Sequence, residues 1–151
     1  MVRDFGKSPE TFSLQALLAH YRQIPFRDWS GAKWPPHVIH RRLWFAVGGM
    51  SEEFSPGMGS DDDLAMKLWL AGCRIFRGIA DSRVYHFMRK STGRANGNNG
   101  GRQFLRRYGM KPSTFARYYL KLGDPACPVL SEPSGISFFL KKTCDRILGL
   151  F

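Results

Sequence analysis

The sequence predicts an α/β domain, and three observations carry that prediction. Apolar residues recur at helical spacing in several separate stretches. Two short runs, "CRIFRGI" and "SRVYHF", concentrate β-branched and aromatic residues on either side of Asp81, as a pair of strands does. Glycines and prolines punctuate the boundaries between these segments. A chain of 151 residues, 43% of them hydrophobic, is long enough to bury a core of its own and short enough for one domain.

In chain order, residues 8–23 predict a helix. Ser8 is placed to cap it, Pro9 suits its first turn, and Leu14, Leu17, Leu18 and Tyr21 form one stripe. "IPFRDWSGAKWPP" is an irregular connector. "HRRLWFAVGG" is a short helix stopped by Gly48 and Gly49. A loop, "MSEEFSPGMGS", leads to a helix from about Asp61 to Ala71, ended by Gly72. The strand pair follows, then a polar Gly/Asn-rich segment, "RKSTGRANGNNGG". "RQFLRRYG" and "PSTFARYYLKLG" are further helices, each closed by glycine. A Pro-rich linker, "DPACPVLSEPSG", precedes a last helix with Ile136, Phe139, Leu140, Ile147, Leu148 and Phe151 on one face. The expected organisation is a body over residues 1–125 and, over 126–151, the linker with an amphipathic basic helix.

The charge is uneven. Residues 1–86 hold 11 Lys and Arg against 9 Asp and Glu, whereas residues 87–151 hold 12 against 3. The C-terminal part therefore attracts polyanions: nucleic acid, an anionic membrane surface, or a ligand carrying phosphates. For nucleic acid, the aromatics Phe104, Tyr108, Phe115, Tyr118 and Tyr119 fall at helical spacings that suit a core, and no nucleic-acid motif is present. The longest apolar run, "LWFAVGGM", is too short to span a bilayer. The N-terminal residues lack the apolar stretch of a secretory leader. Cys73, Cys127 and Cys144 have no metal-binding spacing and cannot all pair, which points to free thiols in a reducing, cytoplasmic setting.

Against this basic background "GMGSDDDLAMKLW" stands out. One reading is local: Ser60 and Asp63 match a capping box, and acids in a first helical turn meet the positive end of the helix dipole. The other is chemical. Successive helical residues point about 100° apart, so the three carboxylates fan out. Asp61 then projects from the helix start towards a cleft, Asp63 turns back to backbone N–H groups, and Asp62 faces water. A carboxylate beside a cleft can take a proton from a hydroxyl nucleophile.

The stretch from His37 to Phe87, "HVIHRRLWFAVGGMSEEFSPGMGSDDDLAMKLWLAGCRIFRGIADSRVYHF", resembles the C-terminal half of a family 2 glycosyltransferase of GT-A fold. The double glycine, the acidic helix start followed by Leu64, the helix-ending Gly72 and the final His86 occur in the family's order. The resemblance implies a partial GT-A fold that lacks most of the N-terminal nucleotide-binding half and carries a helical C-terminal extension. The family's acidic pair falls on Ser60 and Asp61, so the first acid is replaced and the general base is Asp61. Asp63 matches the acid that follows. Gly48 and Gly49 match a glycine loop that lets backbone approach the sugar donor, which a missing Cβ permits.

His86 matches a histidine that helps to hold a divalent metal, Mn²⁺ or Mg²⁺; its local alternative is a histidine satisfied at a strand end. The family's Asp-x-Asp donor motif has no counterpart here, so the metal is expected to be weakly held and the chain to be a partial or truncated enzyme. Arg89, Arg94 and Arg102 are candidates to face the donor diphosphate, with a solvated basic loop as the alternative. Trp34, Trp44 and Trp69 are candidates for acceptor stacking, with core packing the favoured reading for Trp69, which lies on the helix. The implied reaction is inverting transfer of a sugar from a nucleotide-sugar donor to the hydroxyl of a glycan or lipid-linked acceptor. The rival functions are nucleic-acid binding and attachment to an anionic membrane surface.

Overall fold

The computed structural model describes residues 4–23, 26–55, 58–87 and 99–149. It is a mixed structure of helices and one small antiparallel sheet. The helices are α1 (Leu14–His20), α2 (Arg41–Ala46), α3 (Ser60–Leu70), α4 (Gly100–Tyr108), α5 (Pro112–Thr114) and α6 (Ile136–Leu148). Strands β1 (Trp29–Ser30) and β2 (Arg77–Gly78) pair with Trp29 opposite Gly78. Among the described residues no helix is long and apolar enough to cross a membrane.

α3 is the centre of the fold. Six of its residues are buried, Asp63, Leu64, Ala65, Met66, Leu68 and Trp69, because other elements cover it from several sides. Around it pack Phe54, Phe76, Phe104, Met110, Phe115, Leu120 and Leu130. Gly72, at φ +91°, reverses the chain where the sequence predicts the helix to end. α4 ends on Gly109 in the left-handed conformation, as expected. α5 does not continue as one α-helix: residues Phe115–Tyr119 form a π-helical turn in which Phe115 and Ala116 are buried.

Three expectations are revised. The first helix begins not at Ser8 but at Leu14, with Ser13 Oγ accepting from the Ala16 N–H at 3.2 Å. Residues Ser8 to Thr11 form a separate turn, closed by a 3.1 Å bond from the Thr11 N–H to the Ser8 carbonyl. No residue of α1 is buried, so its leucine stripe is not covered by the core.

The predicted strand pair also does not form. "CRIFRGI" contributes β2, but its partner is Trp29–Ser30 from the connector. The Gly31 N–H bonds the Phe76 carbonyl at 2.6 Å, and the Ala80 N–H bonds Asp28 Oδ1 at 2.9 Å, so the connector occupies the edge that a hairpin needs. The turn near Asp81 does exist, with Ser82 N–H donating to the Ile79 carbonyl at 3.1 Å. Residues 82–87 then pack on the N-terminal segment. The Tyr85 hydroxyl accepts from the Phe5 N–H at 2.7 Å and donates to the Gly6 carbonyl at 2.8 Å, amid a ring cluster of Phe5, Phe12 and Phe87.

Third, the Pro-rich stretch is fastened to the body. Leu130 is buried, its N–H bonds the Arg74 carbonyl at 2.9 Å, and Glu132 accepts from both Trp69 Nε1 and Arg74. α6 docks through Phe138 and Asp145 rather than through its apolar stripe. A buried carboxylate needs specific donors, and Asp145 has three: the Lys111 N–H at 3.0 Å, the Thr114 hydroxyl and the Lys141 ammonium.

Candidate functional site

The three acids of α3 meet three different fates. Gly59, at φ +101°, precedes the helix, and no side chain caps its first turn, so the capping box is not built. Asp63 instead points inward and is fully buried. It accepts from the Ser51 hydroxyl at 2.6 Å and the Tyr108 hydroxyl at 2.6 Å, with Lys67 Nζ at 3.7 Å and Arg107 at 3.4 Å. This carboxylate ties the loop after α2, the central helix and α4 together. Burial, and then the bond to Asp63, push the Tyr108 phenol well above its ordinary pKa, so it stays a donor. Asp62 does not face water: it forms an ion pair with Lys33, and both side chains are largely covered.

Asp61 is left for the cleft. It is half-buried in a hollow of about 120 Å³ with Lys33, His37, Leu64, Phe76 and Arg77 among its walls. Burial raises the pKa of its carboxyl; His37 and Lys33 pull it down, while Asp62 adds to the rise. The net result is a carboxylate more basic than usual, facing a pocket whose rim carries cations. His37 is oriented by a 2.7 Å hydrogen bond between its Nε2 and the Lys33 carbonyl.

The hollow holds only a hydroxyl or two, but larger grooves adjoin it. Lys33 also lines an open groove of about 950 Å³ with Arg117, Tyr118, Lys121 and Glu132. Val38, Ile39, Leu68 and Ile75 continue into an apolar groove of about 690 Å³. Trp34 is exposed beside this region, and the Lys33 ammonium lies 5.2 Å from the centre of its ring.

The remaining expected site residues are dispersed. His86 is exposed on the segment that follows β2, and the residue that shares the Asp61 hollow is His37. Among the described residues no group of three or more His, Cys, Asp or Glu side chains is placed to hold a metal ion. Gly49 is buried, at φ +60°, and its missing Cβ is used by the Trp44 ring, which a Cβ would meet at 2.8 Å. Its carbonyl accepts from Lys67 Nζ at 2.5 Å. Gly48, at φ +70°, faces open space. Trp69 is buried in the core. Arg102 lies exposed in the first turn of α4, whereas Arg89 and Arg94 fall outside the described residues. Phe104 and Phe115, which a base-stacking surface would need outside, are fully buried.

Sequence reasoning missed Lys33 and His37 as partners of the acidic triplet. The signal available was their position: Lys33 lies in a connector rich in Trp and Pro, and His37 opens the stretch that carries the family resemblance. No family model, curated protein or solved structure matches this chain.

Proposed function

We propose that this chain is the acceptor-side part of a family 2-like, GT-A glycosyltransferase, with Asp61 as the general base. The observation that carries the reading is the sorting of the acidic triplet. Asp63 is consumed by a buried network and Asp62 by Lys33, while Asp61 alone faces a hollow with a raised pKa.

In the proposed step an acceptor hydroxyl enters the hollow and Asp61 takes its proton. The oxygen forms a bond to the anomeric carbon of a nucleotide-linked sugar from the face opposite the diphosphate. The bond to the diphosphate oxygen breaks, and the leaving group keeps the electron pair. Arg77 on the rim, with Arg117 and Lys121 in the adjoining groove, supplies positive charge for the phosphates. Trp34 offers a face for a sugar ring. His86 remains a single candidate ligand for the divalent metal that the resemblance implies, and no step is routed through that metal, because a lone imidazole holds one weakly.

The test is transfer from UDP-, GDP- and dTDP-linked sugars to hydroxyl acceptors, measured on the polypeptide as its own gene encodes it. Asp61→Asn is expected to lower transfer by about a hundredfold or more, the scale of a lost general base, with folding intact. Transfer that survives Asp61→Asn, or the lack of any transfer by the complete gene product, overturns the assignment.

A further inference from the structure

The placement of α6 inverts the usual logic of an amphipathic helix. Its docked face is formed by Phe138 and Asp145, and Asp145 is 0% exposed. On a helical wheel the two lie within about 20° of each other, and Ile136, Leu140 and Ile147 cluster within about 40° on the opposite side. Those residues, with Phe139 and Leu148, are exposed, from 52% at Ile147 to 78% at Ile136. The helix is therefore anchored to the body on the side of this carboxylate and ring, and offers its apolar side outward. Exposed apolar side chains gathered on one side of a helix are a candidate interaction site.

The surrounding charge identifies the occupant. On the same wheel Arg146 stands about 20° from Phe139 and Lys141 about 20° from Leu148, at the two edges of the exposed side; Lys141, 43% exposed, also donates to Asp145. Lys142 Nζ lies 5.7 Å from the Phe138 ring centre, on the docked side of the helix. α6 is seated on the most basic part of the chain: Asp145 binds Lys111 and Thr114, Phe138 packs 5.5 Å from the Tyr118 ring, and the same segment carries Arg106, Arg107, Arg117 and Lys121. A second copy placed on this face brings the same cations together in a protein of net charge +11, which disfavours self-association. An anionic bilayer matches both halves of the pattern. Its acyl boundary takes the apolar side chains and its headgroups take the ammonium and guanidinium groups.

We propose that α6 is an interfacial membrane-docking helix that seats this domain on an anionic lipid surface. The proposal rests on the exposure of α6 and stands whether or not the transferase reading holds. Its test is co-sedimentation of the purified protein with phosphatidylcholine vesicles, with and without phosphatidylglycerol. The wild type is expected to bind the anionic vesicles, less so as salt rises, and to bind neutral vesicles weakly. Phe139→Ser combined with Ile147→Ser removes two outward side chains and is expected to weaken binding by roughly tenfold or more, with unchanged circular dichroism and Tm. If that pair disturbs folding, Leu140→Ser alone serves, with a several-fold loss expected. Failure of the wild type to bind anionic vesicles overturns the proposal. So does binding that a folded variant retains in full, or a wild-type dimer in light scattering that these substitutions dissolve without any vesicle binding.

Discussion

Removing the Asp63 carboxylate is the sharpest test of how this fold is held together. In Asp63→Ala the Ser51 and Tyr108 hydroxyls lose their acceptor, and Lys67 loses its buried counter-charge. Breaking a buried, hydrogen-bonded charge typically costs about 3–5 kcal/mol, because the partners stay buried without compensation. Arg107 is 40% exposed and also pairs with Glu53, so water and that second carboxylate absorb its loss. The expected destabilisation is therefore about 4 kcal/mol, a large share of the roughly 5–15 kcal/mol that holds a domain folded. For a chain of this size it corresponds to a fall in Tm on the order of 10 °C. Asp63→Asn keeps the volume and one acceptor oxygen, so about half of that loss is expected. The assay is equilibrium urea unfolding followed by circular dichroism and tryptophan fluorescence, which reports on Trp69 in the core. An Asp63→Ala protein within about 1 kcal/mol of the parent, the range of an ordinary surface change, would refute the account of Asp63 as the junction of three elements.

Asp61 is expected to behave oppositely. Its folded-state pKa is raised, so its stabilising contribution is complete below the ordinary Asp range and is lost as pH rises through the raised value. Asp61→Asn should therefore match the parent in acid and become relatively more stable towards neutrality, as urea midpoints measured across pH will show. Asp145 has the reverse sign. Burial alone would raise its pKa, but hydrogen bonds from Lys141, Thr114 and the Lys111 N–H outweigh that and lower it. Its contribution is present above the ordinary Asp range and disappears as pH falls through the lowered value. Asp145→Ala should cost about 3 kcal/mol at neutral pH and free α6, seen as lost helicity and faster amide exchange over residues 136–148. Gly78→Ala drives a Cβ into the Trp29 ring, so it should cost about 1–3 kcal/mol and shift tryptophan emission.

Several elements were legible because they depend on local rules. α2 with its double glycine, α3 with Gly72, and α4 with Gly109 each follow from a periodic apolar pattern and a residue that tolerates positive φ. The buried ring of Trp69 follows from its place on a helix with Leu64, Ala65 and Leu68. β1 was not legible, since two residues in a Trp- and Pro-rich connector carry no alternation, and their partner lies far along the chain. Nor were the Lys33–Asp62 pair and the hollow that Asp61 and His37 share, which join segments of unlike composition.

What the amino-acid order determined by itself was where helices start and stop, where charge accumulates, and which triplet of acids is exceptional. Only the tertiary structure decided which acid is buried, which is paired and which faces the hollow, because adjacent helical positions differ in nothing but direction until neighbours cover them. The same holds for α6. Its apolar stripe is plain in the sequence, but the Lys111 N–H and Thr114 hydroxyl that meet Asp145 fixed the side of Asp145 and Phe138 inward and left that stripe outside.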